Sequence, residues 1–210
     1  MKTIFWNVDT QYDFMRSDES FHGSLAIAGA REIEGNLEKI TRLAAKKGMQ
    51  VVNTADWHNQ YSKEISDRPD FRTTFPPHCM QHTPGAEYVP ATKPEDPYGI
   101  DWQQKGFDAE EVKRRRNIVL YKDAFDVFAG TPHAEAVLDT IKPDMAIVYG
   151  VATNVCVNFA VMGLLQRGVQ VYVPLDAIKE LPNLPLDAML EAWQKAGARF
   201  IWTKEVEQYL

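Results

Sequence analysis

The chain alternates short apolar runs with stretches in which apolar residues recur every three or four positions. Thr3–Val8 (TIFWNV) predicts a buried strand ending at Asp9. Ile33, Leu37, Ile40 and Leu43–Ala44 share one helical face, and Gly48 stops that helix after a lysine-rich last turn. A strand over Gln50–Asn53 runs out into TADWH. A short helix near Ala109–Arg115 precedes a strand over Asn117–Tyr121 that leads to Lys122. Thr131 reads as an N-cap with Pro132 at the first helical position, and Ala134, Val137, Leu138 and Ile141 make the apolar face. Ala146–Tyr149 predicts a buried strand broken at Gly150, with a helical pattern resuming from about Asn154. A strand over Val169–Val173 is followed by a helix with Leu186, Met189, Leu190 and Trp193 on one face. A last strand, Arg199–Trp202, and a short helix close the chain.

Apolar strands alternating with helices predict a parallel sheet covered on both faces. The expected fold is α/β: three layers, doubly wound, a mostly parallel six-stranded sheet in the Rossmann-like order 3-2-1-4-5-6. The pattern shows neither an internal repeat nor a linker, so residues 1–210 are expected to form a single domain. Residues 59–106 are rich in Pro, Asp, Tyr and Gln and lack periodicity. They are expected to form a long loop region over the functional site; a loop of that length is usually either functional or hides regular elements that the pattern does not show.

Composition narrows the function classes. Apolar residues at 45% and charged residues at 25% are ordinary for a soluble globular protein. No apolar run approaches the ~20 residues of a membrane span. The net charge of −6 argues against a nucleic-acid partner. The basic run Lys113–Arg116 follows Glu110 and Glu111 and reads as the solvated end of a helix. The first residues, MKTIFWNVDTQYDF, turn polar too early for a signal peptide. With two cysteines, the expectation is a reducing cytoplasm and no disulfide framework.

In a doubly wound sheet, ligands bind beyond the carboxyl ends of the strands. Reactive residues collect at those ends here: Asp9 after the first strand, Asp56 and His58 after the second, Lys122 after the third, Cys156 after the fourth. Singly, each has an ordinary reading: a turn residue, a loop histidine, a surface lysine, a buried small hydrophobe. Together they support nucleophilic chemistry. A cysteine at a helix start is favoured as thiolate by the helix dipole. Asp9 could take its proton, and Lys122 could stabilise thiolate or hold Asp9 ionised. Backbone N–H groups at the Ala152 turn and at Cys156 are natural donors for an oxyanion. Asp56 and His58, two apart at a strand end, project to the same side. With His78 they make either a three-ligand site suited to zinc, iron or manganese, or three unrelated loop residues.

The whole chain resembles the isochorismatase-like cysteine hydrolases, and within them the nicotinamidase/pyrazinamidase branch. The resemblance rests on NVDTQYDF around Asp9, TADWH at Asp56–His58, FPPHCMQHTPGAE at Phe75–Glu87, LYKDAFDVF around Lys122, and GVATNVCV up to Cys156. It implies a catalytic triad of Asp9, Lys122 and Cys156, an oxyanion hole at Ala152 and Cys156, and a cis peptide before Ala152. It also implies a divalent metal, zinc first, at Asp56, His58 and His78. Glu64 stands at the spacing of a fourth ligand, where a histidine is frequent. Phe14 and Phe75 match positions that sandwich a flat substrate ring. The implied reaction is hydrolysis of nicotinamide to nicotinate and ammonia, a step of NAD salvage, by a homo-oligomeric enzyme. Hydrolysis of another small amide or carbamoyl compound is the alternative, and a non-catalytic binding domain is a third.

Departures are visible. AFDVF after Lys122 lacks a serine-rich segment frequent in that branch, residues 87–113 are long, and His82 replaces a small residue. Cys79, beside His78, is not expected to be a nucleophile. His22 and His133 have no evident partners.

Overall fold

In the computed structural model, which describes residues 1–182 and 186–210, eight strands form one sheet. They are β1 (Thr3–Val8), β2 (Val51–Asp56), β3 (Tyr98–Ile100), β4 (Asn117–Lys122), β5 (Met145–Val151), β6 (Gln170–Pro174), β7 (Ile178–Lys179) and β8 (Arg199–Ile201). Every pairing in it is parallel. Their order is β8-β6-β5-β1-β2-β4-β3, and β7 pairs with the far end of β5, Gly150 opposite Ile178.

Without β3 and β7, this is the expected order 3-2-1-4-5-6. The count of six is corrected to eight. The added strands have three and two residues, too few for a hydrophobic period to register. β3 lies inside the stretch 59–106, together with a 3-10 turn at Pro84–Ala86.

Successive strand residues face opposite sides, and two cores result. Ile4, Trp6 and Val8 of β1 pack with Val137 and Ile141 of α3 (Ala134–Ile141). The same core takes Val112 of α2 (Ala109–Arg114), Val161 and Leu164 of α4 (Asn158–Gln166) and Trp193 of α5 (Asp187–Ala196). Phe5 faces the other way, onto Leu37, Ile40 and Ala44 of α1 (Glu34–Lys46) and Val206 of a C-terminal 3-10 segment. Each fully buried Leu, Ile, Val or Phe contributes about 1.5–3 kcal/mol. Among the described residues, no helix is long and apolar enough to cross a membrane.

Two helix starts differ from expectation. α3 begins at Ala134, and Thr131 Oγ1 accepts the His133 N–H at 3.3 Å, so Thr131 caps a turn between two short helices. After β5 the chain does not enter an α-helix at Asn154. Thr153–Val157 is a wide turn in which the Ala152 carbonyl accepts the Val157 N–H, five residues on, at 3.1 Å. Regular helix starts at Asn158.

Candidate active site

Parallel register lines up the strand ends. Val8 stands between Thr54 and Gly150, and Asp56 pairs with Lys122. Gly150 has φ +121°, and a Cβ there would meet the Val8 carbonyl oxygen at 2.1 Å. Glycine alone lets β5 approach β1 so closely. The next peptide but one, Val151–Ala152, is cis.

Asp9 leaves β1 with φ +47°, a left-handed conformation that is costly for a residue with a side chain. Thr54 holds it there: its carbonyl accepts the Asp9 N–H at 3.1 Å, and its hydroxyl donates to Asp9 Oδ1 at 2.6 Å. Lys122 Nζ stands 2.9 Å from Asp9 Oδ2 and donates to Asp56 Oδ1, to the Ala124 carbonyl at 3.1 Å and to Cys156 Sγ at 3.8 Å. Asp9, Lys122 and Cys156 are thus brought together, all buried.

The charges are set by burial and neighbours. Burial and Asp56 raise Asp9 above the usual carboxylate value, although Lys122 opposes them. Burial works against the charge on Lys122, but Asp56 and Asp9 outweigh it and hold the ammonium firmly. Burial pushes the Cys156 thiol up, Lys122 opposes, and a hydrogen bond toward Asp9 favours the protonated sulfur. Burial and these neighbours together favour the protonated thiol at Cys156 over the dipole-stabilised thiolate that a helix start suggests. A carboxylate oxygen of Asp9 lies within 4.8 Å of its sulfur.

Asp56 faces two ways. Oδ1 takes the lysine, while Oδ2 lies 3.7 Å from His58 Nε2 and 3.8 Å from His78 Nε2. Donor atoms of these three residues lie within 4.8 Å of one another, and the buried His58 Nε2 has no hydrogen-bond partner among the described residues. Two imidazoles and a carboxylate converging on one space, one nitrogen orphaned, fit a divalent transition metal. Asp9, Asp56 and Cys156 also converge within 4.8 Å, but there the Lys122 ammonium already supplies the positive charge.

Glu64 is not one of the three converging ligands. Its Oε1 accepts the Phe125 N–H at 2.8 Å, its buried Oε2 has no partner among the described residues, and burial beside Asp56 lifts it to about 7.

A narrow slot opens on these groups, with about 330 Å³ of empty space counting its open mouth. Phe14, Phe75 and Phe125 line it, together with His78, Asp56, Ala152 and Cys156. Phe14 and Phe75 rings lie 5.4 and 6.3 Å from the His78 ring. Leu25, Ile27, Val155 and Leu181 complete the walls.

Other sequence-noted residues stand elsewhere. His82 packs edge-on against Trp57, His133 bonds the Gln104 carbonyl at 2.9 Å, and His22 lies on a small hairpin. Cys79 is wholly buried, and its N–H is held by Asp13 Oδ2 at 2.7 Å.

Sequence reasoning missed the residues that frame the site. Gln11 cradles the Asp56 backbone, accepting its N–H at 2.8 Å and donating to its carbonyl at 2.8 Å. Asp13 joins the His78–Cys79 loop to Ser24. Thr54 and Asp123 were missed as well. A signal existed for Thr54, a polar residue within a run of buried strand positions.

Residues 3–205 match the family model described as the isochorismatase domain. The chain is 25% identical to the nicotinamidase/pyrazinamidase of Mycobacterium tuberculosis (strain ATCC 25618 / H37Rv), over 92% of this chain and 95% of that protein. It is 26% identical to the nicotinamidase of Escherichia coli (strain K12), over 86% and 84%. The solved pyrazinamidase of Pyrococcus horikoshii in complex with zinc superposes with a TM-score of 0.74 at 25% identity, covering 96% of this chain and 99% of that one. The N-carbamoylsarcosine amidase from Thermoplasma acidophilum has the same fold, with a TM-score of 0.73 at 22% identity and 99% coverage of both.

Proposed function

We propose, from the premise that this chain belongs to the isochorismatase family, that it is an amide-hydrolysing enzyme of the nicotinamidase type, releasing ammonia from nicotinamide. The observation that carries the reading is the slot. Cys156 and Ala152 line it together with Asp56, His78, Phe14, Phe75 and Phe125, and its lining among the described residues includes no arginine or lysine. A neutral, flat amide suits it better than an anionic substrate.

Cys156 gives its proton to Asp9 and attacks the carboxamide carbon, forming the C–S bond. The backbone N–H groups of Ala152 and Cys156 receive the oxyanion. When the tetrahedral adduct collapses, the C–N bond breaks and Asp9 returns the proton to the leaving nitrogen, which departs as ammonia. Water then attacks the thioester and yields its proton to Asp9. The C–S bond breaks, and the acid leaves as the thiol is restored. Lys122 keeps its charge throughout and balances Asp9 in its ionised stages.

Asp56, His58 and His78 would hold a divalent metal, zinc foremost, with Glu64 close by. The metal would supply a Lewis-acid contact for a ring nitrogen and so orient the substrate. Localisation in the cytoplasm and assembly into a homo-oligomer belong to the same reading.

The test is ammonia release from nicotinamide and a panel of small amides and carbamoyl compounds, with Cys156→Ala as control. Release from nicotinamide, lost in the variant, supports the reading. Release from other amides only would move the substrate elsewhere in the family, and release from none would end the enzymatic reading.

A further inference from the structure

His58 Nδ1, on the side of the ring away from the ligand cluster, meets Asp123 Oδ1 at 2.9 Å. The same oxygen receives the Ser62 hydroxyl, and Ser62 Oγ in turn accepts the Asn59 N–H at 2.9 Å. A carboxylate oxygen only accepts, so this chain of bonds requires a proton on Nδ1. In the neutral ring, Nε2 is then left with its lone pair, and Nε2 is the buried atom beside Asp56 and His78 that has no partner among the described residues. The second imidazole is set in the same sense by a weaker partner: His78 Nδ1 meets the Pro76 carbonyl at 2.7 Å.

Asp123 directly follows Lys122, the last residue of β4. Lys122 fixes Asp56 through Oδ1, and the next residue fixes His58 from behind. One dipeptide therefore orients two of the three converging ligands.

We propose that Asp123 is a positioning residue of the metal site: its carboxylate holds His58 with Nε2 presented to the cation and raises that nitrogen's donor strength. The proposal rests on the reading of Asp56, His58 and His78 as metal ligands. It assigns a role to a residue that no motif singled out. Outer partners of this kind typically account for 10–100-fold in metal affinity.

The test is zinc affinity, measured by competition with a chromogenic chelator, together with the visible spectrum of the cobalt-loaded protein. Asp123→Ala is expected to weaken zinc binding about 10–100-fold and to shift the cobalt absorption bands. Asp123→Asn keeps an acceptor oxygen and loses the charge, so its loss is expected to be smaller than that of Asp123→Ala. Circular dichroism of the metal-free proteins checks the fold, and if Asp123→Ala fails to fold, Asp123→Asn decides. Variants that bind zinc as tightly as the parent protein, with an unchanged cobalt spectrum, overturn the proposal alone. A parent protein that binds neither metal overturns the metal reading with it.

Discussion

Lys122 Nζ stands 3.8 Å from Sγ of Cys156, which lines the slot, and both side chains are buried. The lysine does more than face the thiol. It also contacts two buried carboxylates, Asp9 and Asp56. Removing one partner from a buried ion pair leaves an uncompensated charge, which costs about 3–5 kcal/mol. Lys122→Met is therefore expected to lower unfolding free energy by about that amount, as well as to abolish turnover. Urea denaturation of the metal-free protein reads it, and an unchanged midpoint would contradict the network.

The pH profile should carry the mark of Asp9. Burial raises its folded-state value above the ordinary 3.8, and only the ionised form can take the thiol proton. The acid limb of kcat/KM is expected above the usual carboxylate range, with activity rising through it. Stability runs the other way: a carboxyl with a raised folded value stabilises most at low pH and loses that contribution as pH rises through it. The Thr54 hydroxyl lowers Asp9, so Thr54→Val should move the limb to higher pH. A limb at the ordinary value, unmoved by Thr54→Val, would remove Asp9 as the base.

Phe75 is buried between the His78 and Phe125 rings, at 6.3 and 5.5 Å. Phe75→Leu keeps apolar volume while removing a ring face. Aromatic pairing contributes about 0.5–1.5 kcal/mol beyond burial, so KM for nicotinamide should rise about 2- to 10-fold. A fall confined to kcat would place Phe75 outside the substrate-contacting wall.

Chelation offers a readout independent of turnover. A ligand that binds only the folded state adds about 2.7 kcal/mol at 100 times its Kd. In a domain of this size that corresponds to about 5–10 °C in Tm. Stripping divalent metal should lower Tm by that amount, and graded zinc should restore it. His78→Ala should abolish the zinc-dependent part. Identical melting curves with and without zinc would leave the ligand cluster unused.

Much of this was legible in the chain because parallel strands buried on both faces read as apolar runs. Asp9, Asp56, Lys122 and Cys156 could be found because each follows or ends such a run. The limits are equally physical. β3 and β7 are too short to show a period, and β3 interrupts a stretch rich in proline. Apolar periodicity does not distinguish a turn closed five residues on from one closed four residues on, so the wide turn around Cys156 read as helix. Asp123 acts on a histidine and a serine and Gln11 on backbone groups, and neither leaves a spacing pattern.

The position of β1 has a consequence for biosynthesis. It is an early strand in the chain yet lies centrally in the sheet, between β2 and β5. One flank can pair once Asp56 is made, but the other waits for Val151. At ordinary elongation rates that interval is about 5–20 s, during which the Thr3–Val8 edge presents open backbone groups in an apolar strand. Nascent chains stalled between these two points should be the species that aggregate or recruit chaperones, while release past Val151 closes the edge.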